Sequence, residues 1–263
     1  MRIGPGHVAV VTGAGSGIGA ALCRAFAAQG CSVVAADIDG DSAKAVADSI
    51  GTNALAMRTD VRDARQIDEL ARAAMARFGR VDILCNNAGM APPPALFEDH
   101  APDIWRLIME VTLLSAVHGV RAFLPHMKAQ GAGHIVNSAS LAGMFPIPLV
   151  APYCAAKAAL ISMSESLADE LSRTHPEIKV SVLCPGLVTS KLSETSARNM
   201  PAQSAPTGAS LPATEFDLLI ARSGHEMSAD DLAVLTLQAI MRDATHIYSH
   251  GDLHHHIRAQ IFG

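Results

Sequence analysis

Three polar side chains in the second half of the chain have the types and spacing that acid–base chemistry needs. Tyr153 and Lys157 are four residues apart at the start of a helical pattern, so they lie on one face of that helix. A lysine ammonium beside a phenol favours the phenolate, and lowering a tyrosine pKa from about 10 by about three units takes roughly 4 kcal/mol. Ser140 follows a β-branched run thirteen residues upstream and could hold a reacting oxygen. Together these residues predict a proton-transfer site.

A glycine-rich turn near the N-terminus indicates a site for a phosphate group. The segment between the first strand pattern and the first helical pattern reads Thr12-Gly13-Ala14-Gly15-Ser16-Gly17-Ile18-Gly19. Glycine lets the backbone approach a pyrophosphate closely, and the positive end of the helix dipole stabilises its charge. The spacing differs from the common G-x-G-x-x-G fingerprint. Its position in the first βαβ unit favours a dinucleotide site over a plain tight turn.

Asp37, at the end of the second strand pattern, bears on which dinucleotide binds. A carboxylate there accepts hydrogen bonds from the adenine ribose hydroxyls and repels a 2′-phosphate. Neither the neighbouring Ile38 nor Ser16 in the glycine turn supplies a cation for that phosphate. A solvated acid at a strand end is the alternative interpretation. The position twenty residues beyond Gly17 favours binding of NAD over NADP.

Short β-branched runs alternate with longer alanine-rich helical patterns along the chain. Strands are predicted at 7–12, 31–36, 54–57, 81–85, 134–137, 179–183 and 246–248, and helices at 18–29, 42–50, 65–78, 103–130, 153–173 and 229–241. Continuous apolar strands separated by helices are typical of a parallel sheet covered on both faces. With right-handed crossovers they predict an α/β doubly wound parallel β-sheet, the Rossmann fold, as a single domain over 1–263.

Residues 190–227 depart from this alternation because they are rich in Ser, Thr, Pro and Ala. A long irregular segment inside a compact domain is usually functional or disordered, and we expect a mobile substrate lid. A C-terminal helix, strand and tail follow over 228–263. Apolar residues just before Tyr153 are expected to line a hydrophobic substrate pocket, although some of them could simply pack beneath the lid. They are Met144, Phe145, Pro146, Ile147, Pro148, Leu149 and Val150.

Composition excludes several classes of protein. The chain has 263 residues, of which 49% are hydrophobic and 17% are charged, so it can bury a large core and is not disordered. Its net charge of −5 favours neither nucleic acid nor an anionic membrane as a partner, and no uninterrupted apolar run is long enough to span a bilayer.

Cysteine and histidine usage predicts neither disulfides nor a metal site. The five cysteines have no CxxC spacing, which favours a reducing, cytoplasmic compartment. Cys154 has no evident base partner beside it and is interpreted as a packing residue. Three consecutive histidines, His254, His255 and His256, point in different directions on a helix, so they cannot form one tetrahedral site.

The motifs taken together resemble the classical short-chain dehydrogenase/reductase family. They match it in order over 7–189, with Thr12-Gly13-x-x-x-Gly17-Ile18-Gly19, Asn86-Asn87-Ala88-Gly89, Ser140, Tyr153-x-x-x-Lys157 and Pro185-Gly186. The resemblance implies reversible hydride transfer between NAD(H) and a secondary alcohol or ketone. Tyr153 would be the catalytic acid/base and Ser140 would orient the substrate oxygen. Lys157 would bind the nicotinamide ribose and lower the tyrosine pKa.

The resemblance also implies the partners and the cofactor contacts. The substrate is a small molecule, and the helices at 103–130 and 153–173 would pair in a homodimer or homotetramer. Asp60 and Val61 would contact the adenine, and the backbone of Val188 the carboxamide. The full expected cofactor set is Gly13, Ser16, Gly17, Ile18, Gly19, Asp37, Asp60, Val61, Asn87, Ala88, Gly89, Tyr153, Lys157, Pro185, Gly186, Val188 and Thr189, with Ser190 as an alternative to Thr189.

One position departs from the family pattern. The family usually has Asn in the fifth helix, where it supports a water relay to the lysine, and this chain has Thr112 there. A protein with weak or lost catalysis, acting as a cofactor-binding sensor or scaffold, therefore remains an alternative. Reduction or isomerisation of an activated carbonyl in a multistep pathway is another. The run Ile247-Tyr248-Ser249-His250 resembles a subgroup that oxidises bulky, sometimes aromatic, secondary alcohols.

Overall fold

A seven-stranded parallel sheet forms the centre of the computed structural model, which describes residues 1–145, 147–201 and 226–250. The strand order is β3-β2-β1-β4-β5-β6-β9, and every neighbouring pair is parallel. The predicted doubly wound parallel sheet is therefore confirmed. Its strands are β1 Val8–Thr12, β2 Ser32–Asp37, β3 Ala54–Arg58, β4 Ile83–Asn86, β5 Gly133–Ser138, β6 Ile178–Cys184 and β9 His246–Tyr248.

Helices cover both faces of this sheet. They are α1 Gly17–Ala28, α2 Gly40–Ile50, α3 Ala64–Phe78, α4 Pro102–Met109, α5 Ser115–Gln130, α6 Ala151–Thr174, α7 Leu192–Asn199 and α8 Ala229–Met241. The predicted helix at 103–130 is real, but a π-helical turn at Glu110–Leu114 divides it into α4 and α5. Such turns are frequently found at functional sites, and this one contains Thr112.

Local signals in the sequence account for where several helices begin and end. Gly30 has a φ of +87°, and its N–H donates to the Ala27 carbonyl at 2.8 Å, so it ends α1 close to the predicted end at residue 29. The side chain of Asp39 accepts the Ser42 N–H at 3.1 Å and caps the N-terminus of α2. These caps explain why predicted and observed helix ends differ by only a few residues.

Side chains of alternating strand residues form a separate apolar core on each face of the sheet. In β1, Val8 and Val10 pack into the core that includes Phe123, while Ala9 and Val11 pack into the core that includes Phe26. This alternation follows from the two-residue period of a strand. Burial on both faces holds the sheet rigid and aligns the carboxyl ends of its central strands along one edge.

A chain of buried amides and hydroxyls connects the centre of the sheet to α6. Asn86 Nδ2 donates to Asn137 Oδ1 at 2.9 Å, and Asn137 Nδ2 donates to Ser164 Oγ at 2.8 Å. Ser164 in turn donates to the Leu160 carbonyl within α6 at 2.6 Å. Since buried polar groups require partners, this chain fixes α6 against β4 and β5.

The segment predicted as an irregular lid contains regular structure at both ends. The prediction was wrong for 192–199, which form α7, where Glu194 and Arg198 pair at 3.0 Å one helical turn apart. Two short strands, β7 Val188–Thr189 and β8 Met227–Ser228, bring its ends together. Residues 202–225 of the lid, and the tail with His254, His255 and His256, lie outside the described residues.

One helical stretch combines unusual length with apolar composition. Pro102–Gln130 is long and apolar enough to cross a membrane by those two criteria alone, and less than half of its most apolar window is buried within this chain. A core helix of a soluble protein passes the same two criteria. Part of its apolar surface is therefore available to a partner.

Candidate active site

A cleft of about 850 Å³ opens at the carboxyl edge of the central sheet, where doubly wound folds bind ligands. Of the predicted site residues, all but Thr189 line it. Thr189 is exposed and pairs in β7 with Ser228, while the alternative residue, Ser190, lines the cleft. Thr189 therefore does not line the cleft, and its expected contact with the cofactor stays a prediction.

The glycine-rich turn lies along one wall of the cleft and packs too closely for larger residues. Gly17 has a φ of +49°, and a side chain on Gly19 would overlap the Gly13 carbonyl oxygen. Ser190 passes over the turn, with its Cβ 3.3 Å from the point where a Cβ on Gly17 would lie. The turn leads into the N-terminus of α1 and suits the diphosphate of a dinucleotide.

Asn87 and Thr12 fasten the end of β4 to this turn. The Thr12 hydroxyl accepts the N–H groups of Asn87 at 3.0 Å and Ala88 at 3.1 Å. The Asn87 side chain donates to the Thr12 carbonyl at 3.0 Å and accepts a hydrogen bond from Ser138 at 3.3 Å. The floor of the cleft is thereby fixed by hydrogen bonds between neighbouring strand ends.

Asp37 stands at the opposite end of the cleft from the catalytic candidates. Its two carboxylate oxygens accept the N–H groups of Gly15 at 2.8 Å and Asp39 at 3.0 Å. Each carboxylate oxygen can accept a second hydrogen bond, so the side chain can still bind the two hydroxyls of a ribose.

Arg198 is a cleft residue that sequence reasoning missed. Its Nη1 lies 3.8 Å from Asp39 Oδ2, and both residues line the cleft. The prediction that no cation can bind a 2′-phosphate beside Asp37 took into account only residues close to Asp37 in the chain or in the glycine turn. The fold brings α7 across the cleft to that end, and the helix-forming Glu194–Arg198 spacing was the only signal in the sequence.

Ser140, Tyr153 and Lys157 meet at the end of β5 and the start of α6. The Lys157 ammonium is buried and donates to the Ser138 carbonyl at 2.6 Å. Its Nζ lies 5.5 Å from the centre of the Tyr153 ring, and the Ser140 hydroxyl is hydrogen-bonded to the tyrosine. The structure brings these three side chains together as predicted.

The pKa values of this group are governed by loss of water. Burial raises the pKa of the Tyr153 phenol to about 12, although the hydrogen bond with Ser140 favours the phenolate. Burial lowers the pKa of the Lys157 ammonium to about 8. Desolvation of the phenol outweighs its hydrogen bond with Ser140 in the chain by itself, so the lower tyrosine pKa expected from the sequence stays a prediction for the enzyme with its cofactor bound.

Thr112 is buried beside this group. Its hydroxyl has no hydrogen-bond partner among the residues that the structure describes. A Cβ on Gly89 would lie 3.9 Å from Thr112 Oγ1 and 3.3 Å from Lys157 Nζ, so both atoms border the same small space. The threonine thus keeps a polar atom where the family has its asparagine, with a shorter reach.

Apolar residues surround the cleft on the far side of Tyr153. Of the predicted pocket residues, Ile147, Pro148, Leu149 and Val150 line it. Met144 and Phe145 instead pack against a buried cluster around Leu141, so the pocket prediction was wrong for these two. Pro146 lies outside the described residues. The cleft therefore has a polar half and an apolar half that meet at the tyrosine.

Comparison with known proteins places this geometry in a family. The family model described as short chain dehydrogenase matches residues 7–201. The chain belongs to the short-chain dehydrogenase family. A curated member, 2,5-dichloro-2,5-cyclohexadiene-1,4-diol dehydrogenase from Sphingobium indicum, is 37% identical over 184 residues, which are 69% of this chain and 72% of that protein.

Two solved structures have a similar fold along nearly the whole chain. One from Burkholderia phymatum, in complex with NAD, is 32% identical with a TM-score of 0.88 and covers 98% of this chain and 94% of its own. The other, a 3-ketoacyl-(acyl-carrier-protein) reductase from Brucella melitensis complexed with NADH, is 30% identical with a TM-score of 0.79, covering 93% and 97%. This chain is thus an oxidoreductase of the family, with relatives that bind NAD or NADH.

The buried charge of Lys157 generates a prediction about stability. Because its folded-state pKa is about 8 against an ordinary 10.5, the unfolded chain binds its proton more tightly. The Lys157→Met variant should therefore have a free energy of unfolding about 1–3 kcal/mol higher at pH 7, an advantage that shrinks as the pH rises from 8 to 10.5. Urea unfolding across this pH range, beside the exposed control Lys44→Met, measures it. Equal or lower stability of Lys157→Met at pH 7 would contradict the prediction.

Proposed function

We propose that this short-chain dehydrogenase transfers hydride reversibly between NAD(H) and an apolar, bulky secondary alcohol or its ketone. The observation that most directly supports this proposal is that Ser140, Tyr153 and Lys157 line the same cleft as the glycine-rich turn. The relatives that bind NAD or NADH support the choice of cofactor. NAD supplies the hydride acceptor for oxidation, and NADH supplies the hydride donor for reduction.

Residues along the polar half of the cleft would hold the dinucleotide. The turn from Gly13 to Gly19 would take the diphosphate, and Asp37 the adenosine ribose. Asp60 and Val61 would border the adenine, and Lys157 the nicotinamide ribose. Backbone groups beneath the cofactor would come from Asn87, Ala88, Gly89, Pro185, Gly186 and Val188.

Tyr153 would move the proton of the substrate hydroxyl. In oxidation the tyrosine oxygen takes that proton as the carbonyl forms, and in reduction it returns the proton to the developing alkoxide. The Ser140 hydroxyl donates a hydrogen bond to the same substrate oxygen and stabilises its negative charge. Since Tyr153 has a pKa of about 12 in the chain alone, we expect the positive charges of Lys157 and of the bound nicotinamide to favour the phenolate together.

The apolar half of the cleft supports a hydrophobic substrate. Ile147, Leu149 and Leu187 line it, together with Leu107 and Val111 from the helices opposite. A pocket of this kind binds a hydrocarbon ring or chain and leaves the reacting oxygen at the polar end. The relative that is named for a chlorinated cyclohexadiene diol supports the inclusion of cyclic alcohols among the substrates to be tested.

The Tyr153→Phe variant tests the proposed mechanism. We expect it to lower kcat by about 10²- to 10⁴-fold, because the phenol exchanges the substrate proton. NADH formation from NAD should be followed across aliphatic, alicyclic, steroidal and aryl secondary alcohols, with the dissociation constant of NADH measured separately. The matched control is Tyr248→Phe, which removes the other phenol of the chain.

Loss of turnover in Tyr153→Phe with NADH binding retained would support the enzyme. Full turnover in that variant would contradict the assigned role of the tyrosine. Cofactor binding without turnover of any alcohol by the wild-type protein would instead favour a sensor or scaffold. The observation on which that second candidate rests is that the Thr112 hydroxyl has no hydrogen-bond partner within the described part of the chain.

The preference for NAD over NADP is tested at Asp37. We expect Asp37→Ser to weaken NADH binding by about 10- to 100-fold, since it removes a charged acceptor for the ribose hydroxyls. NADPH binding should improve, because the variant lacks the Asp37 carboxylate that repels a 2′-phosphate. Fluorescence titration with both dinucleotides measures this, and Asp41→Ser, on the exposed side of α2, is the control. Tighter binding of NADPH than NADH by the wild type would refute the preference.

We also propose that the protein is a homo-oligomer. Leu114 and Phe97 are 42% and 67% exposed, and they lie in and next to the apolar stretch Pro102–Gln130. Covering such side chains favours association. Sedimentation velocity at micromolar concentration should give a dimer or a tetramer, and Leu114→Glu should shift the distribution towards monomer. A wild-type monomer would contradict this proposal.

A further inference from the structure

Leu149 has a backbone conformation that leucine rarely adopts. Its φ is +68°, and the only other non-glycine residue with positive φ in the described part of the chain is Asp243. The left-handed region crowds the Cβ of a branched residue, so this conformation costs free energy and persists only where surrounding contacts impose it. Leu149 lines the apolar half of the cleft.

Two hydrogen bonds from a neighbouring loop hold this residue in place. The Leu149 carbonyl oxygen accepts the Ala95 N–H at 3.0 Å and a hydrogen bond from His100 Nε2 at 3.1 Å. Because a carbonyl only accepts, His100 carries a hydrogen on Nε2. The histidine is 8% exposed and stands just before α4. Its ring is therefore a buried donor aimed at one backbone oxygen.

The contact connects the two loops that form the apolar wall. The loop after β4 contributes Ala91 and Pro94 to the cleft, and the loop before α6 contributes Ile147 and Leu149. The next carbonyl, that of Val150, accepts the N–H of Tyr153 at 3.0 Å at the start of α6. The backbone that His100 holds thus continues directly into the helix that carries the tyrosine.

We propose that His100 is a specificity-determining positioning residue, which fixes the width of the substrate pocket through the Leu149 carbonyl. The proposal rests on the function proposed above. The hydrogen bond from His100 holds the wall at 147–150 in its strained conformation. The distance between this wall and Tyr153 is therefore fixed before a substrate binds. Alcohols that match this width reach Tyr153, and alcohols of other widths reach it less often.

The first test compares His100→Leu with His100→Gln. Leucine removes the donor and keeps an apolar side chain, whereas glutamine places an amide N–H near the position of Nε2. We expect His100→Leu to change the ratio of kcat/KM for a bulky alcohol, 1-phenylethanol, to that for a slim one, 2-butanol, by about five- to tenfold. The effect should be in KM, with kcat nearly unchanged, and His100→Gln should restore the ratio.

A control at the other end of the sheet separates this role from a general loss of stability. His134 is fully buried, and its Nε2 lies 2.8 Å from Ser181 Oγ, far from the cleft. We expect His134→Gln to lower the melting temperature and leave the ratio unchanged. The dissociation constant of NADH should be unchanged in every variant, because the hydrogen bond from His100 to the Leu149 carbonyl acts on the substrate half of the cleft.

A second variant tests whether His100 acts through Leu149. Glycine adopts positive φ without strain, so in Leu149→Gly the backbone no longer needs the hydrogen bond from His100 to keep this conformation, and the leucine side chain is removed from the wall. If the two residues act through one contact, the double variant should shift the ratio no further than the larger single effect. Additive effects would overturn the proposal, as would a lower melting temperature in His100→Leu with an unchanged ratio. A wild-type protein that oxidises none of the alcohols would overturn the proposed function as well.

Discussion

The buried ammonium of Lys157 is the constraint around which the rest of the site is arranged. A charge without water is stable only where the fold supplies a partner, and its one hydrogen bond among the described residues is to the Ser138 carbonyl. That carbonyl ends β5, and the lysine comes from α6, so the contact joins the sheet to the helix that carries Tyr153. Burial also sets the pKa of the lysine to about 8 and leaves it responsive to charges that enter the cleft.

The packing that surrounds this charge explains why it is tolerated. Apolar side chains of β4 and β5 pack on both faces of the sheet, and two of their buried polar residues, Asn86 and Asn137, are linked to each other and to Ser164 of α6. This network leaves α6 little freedom to move relative to the sheet. The catalytic candidates are therefore positioned by rigid elements, and the free energy for burying the lysine comes from the two apolar cores.

The two halves of the cleft are built by different means. The proposed cofactor half consists of strand ends joined by hydrogen bonds and of a turn in which close backbone packing requires glycine. The proposed substrate half is built from loops together with Leu107 and Val111 of the facing helical segments, and it includes the strained conformation at Leu149. Loops tolerate substitution better than strand ends. The same fold can therefore keep its proposed cofactor site while the sequence of the apolar wall varies to suit different substrates.

Much of the fold and of the candidate site could be predicted from local sequence patterns and from their order along the chain. The alternation of apolar runs and helical patterns predicted the parallel sheet, since each pattern reflects a local period. Several site residues stand at or just after the ends of strands, namely the glycine turn, Asp37 and Ser140. Tyr153 and Lys157 are one helical turn apart on the helix that follows β5. Their meeting at one edge of the sheet therefore follows from the strand order. The sequence could place these residues because neighbours in the chain remain neighbours in the fold.

Only the tertiary structure decided features that depend on residues far apart in the chain. Three such features are contacts between separate segments. Arg198 contacts Asp39, and His100 donates a hydrogen bond to Leu149. Thr189 pairs with Ser228 and does not line the cleft. The raised pKa of Tyr153 belongs here too, because desolvation depends on everything that packs around the phenol. Local patterns carry information about period and turn, whereas burial and long-range pairing exist only once the chain has folded.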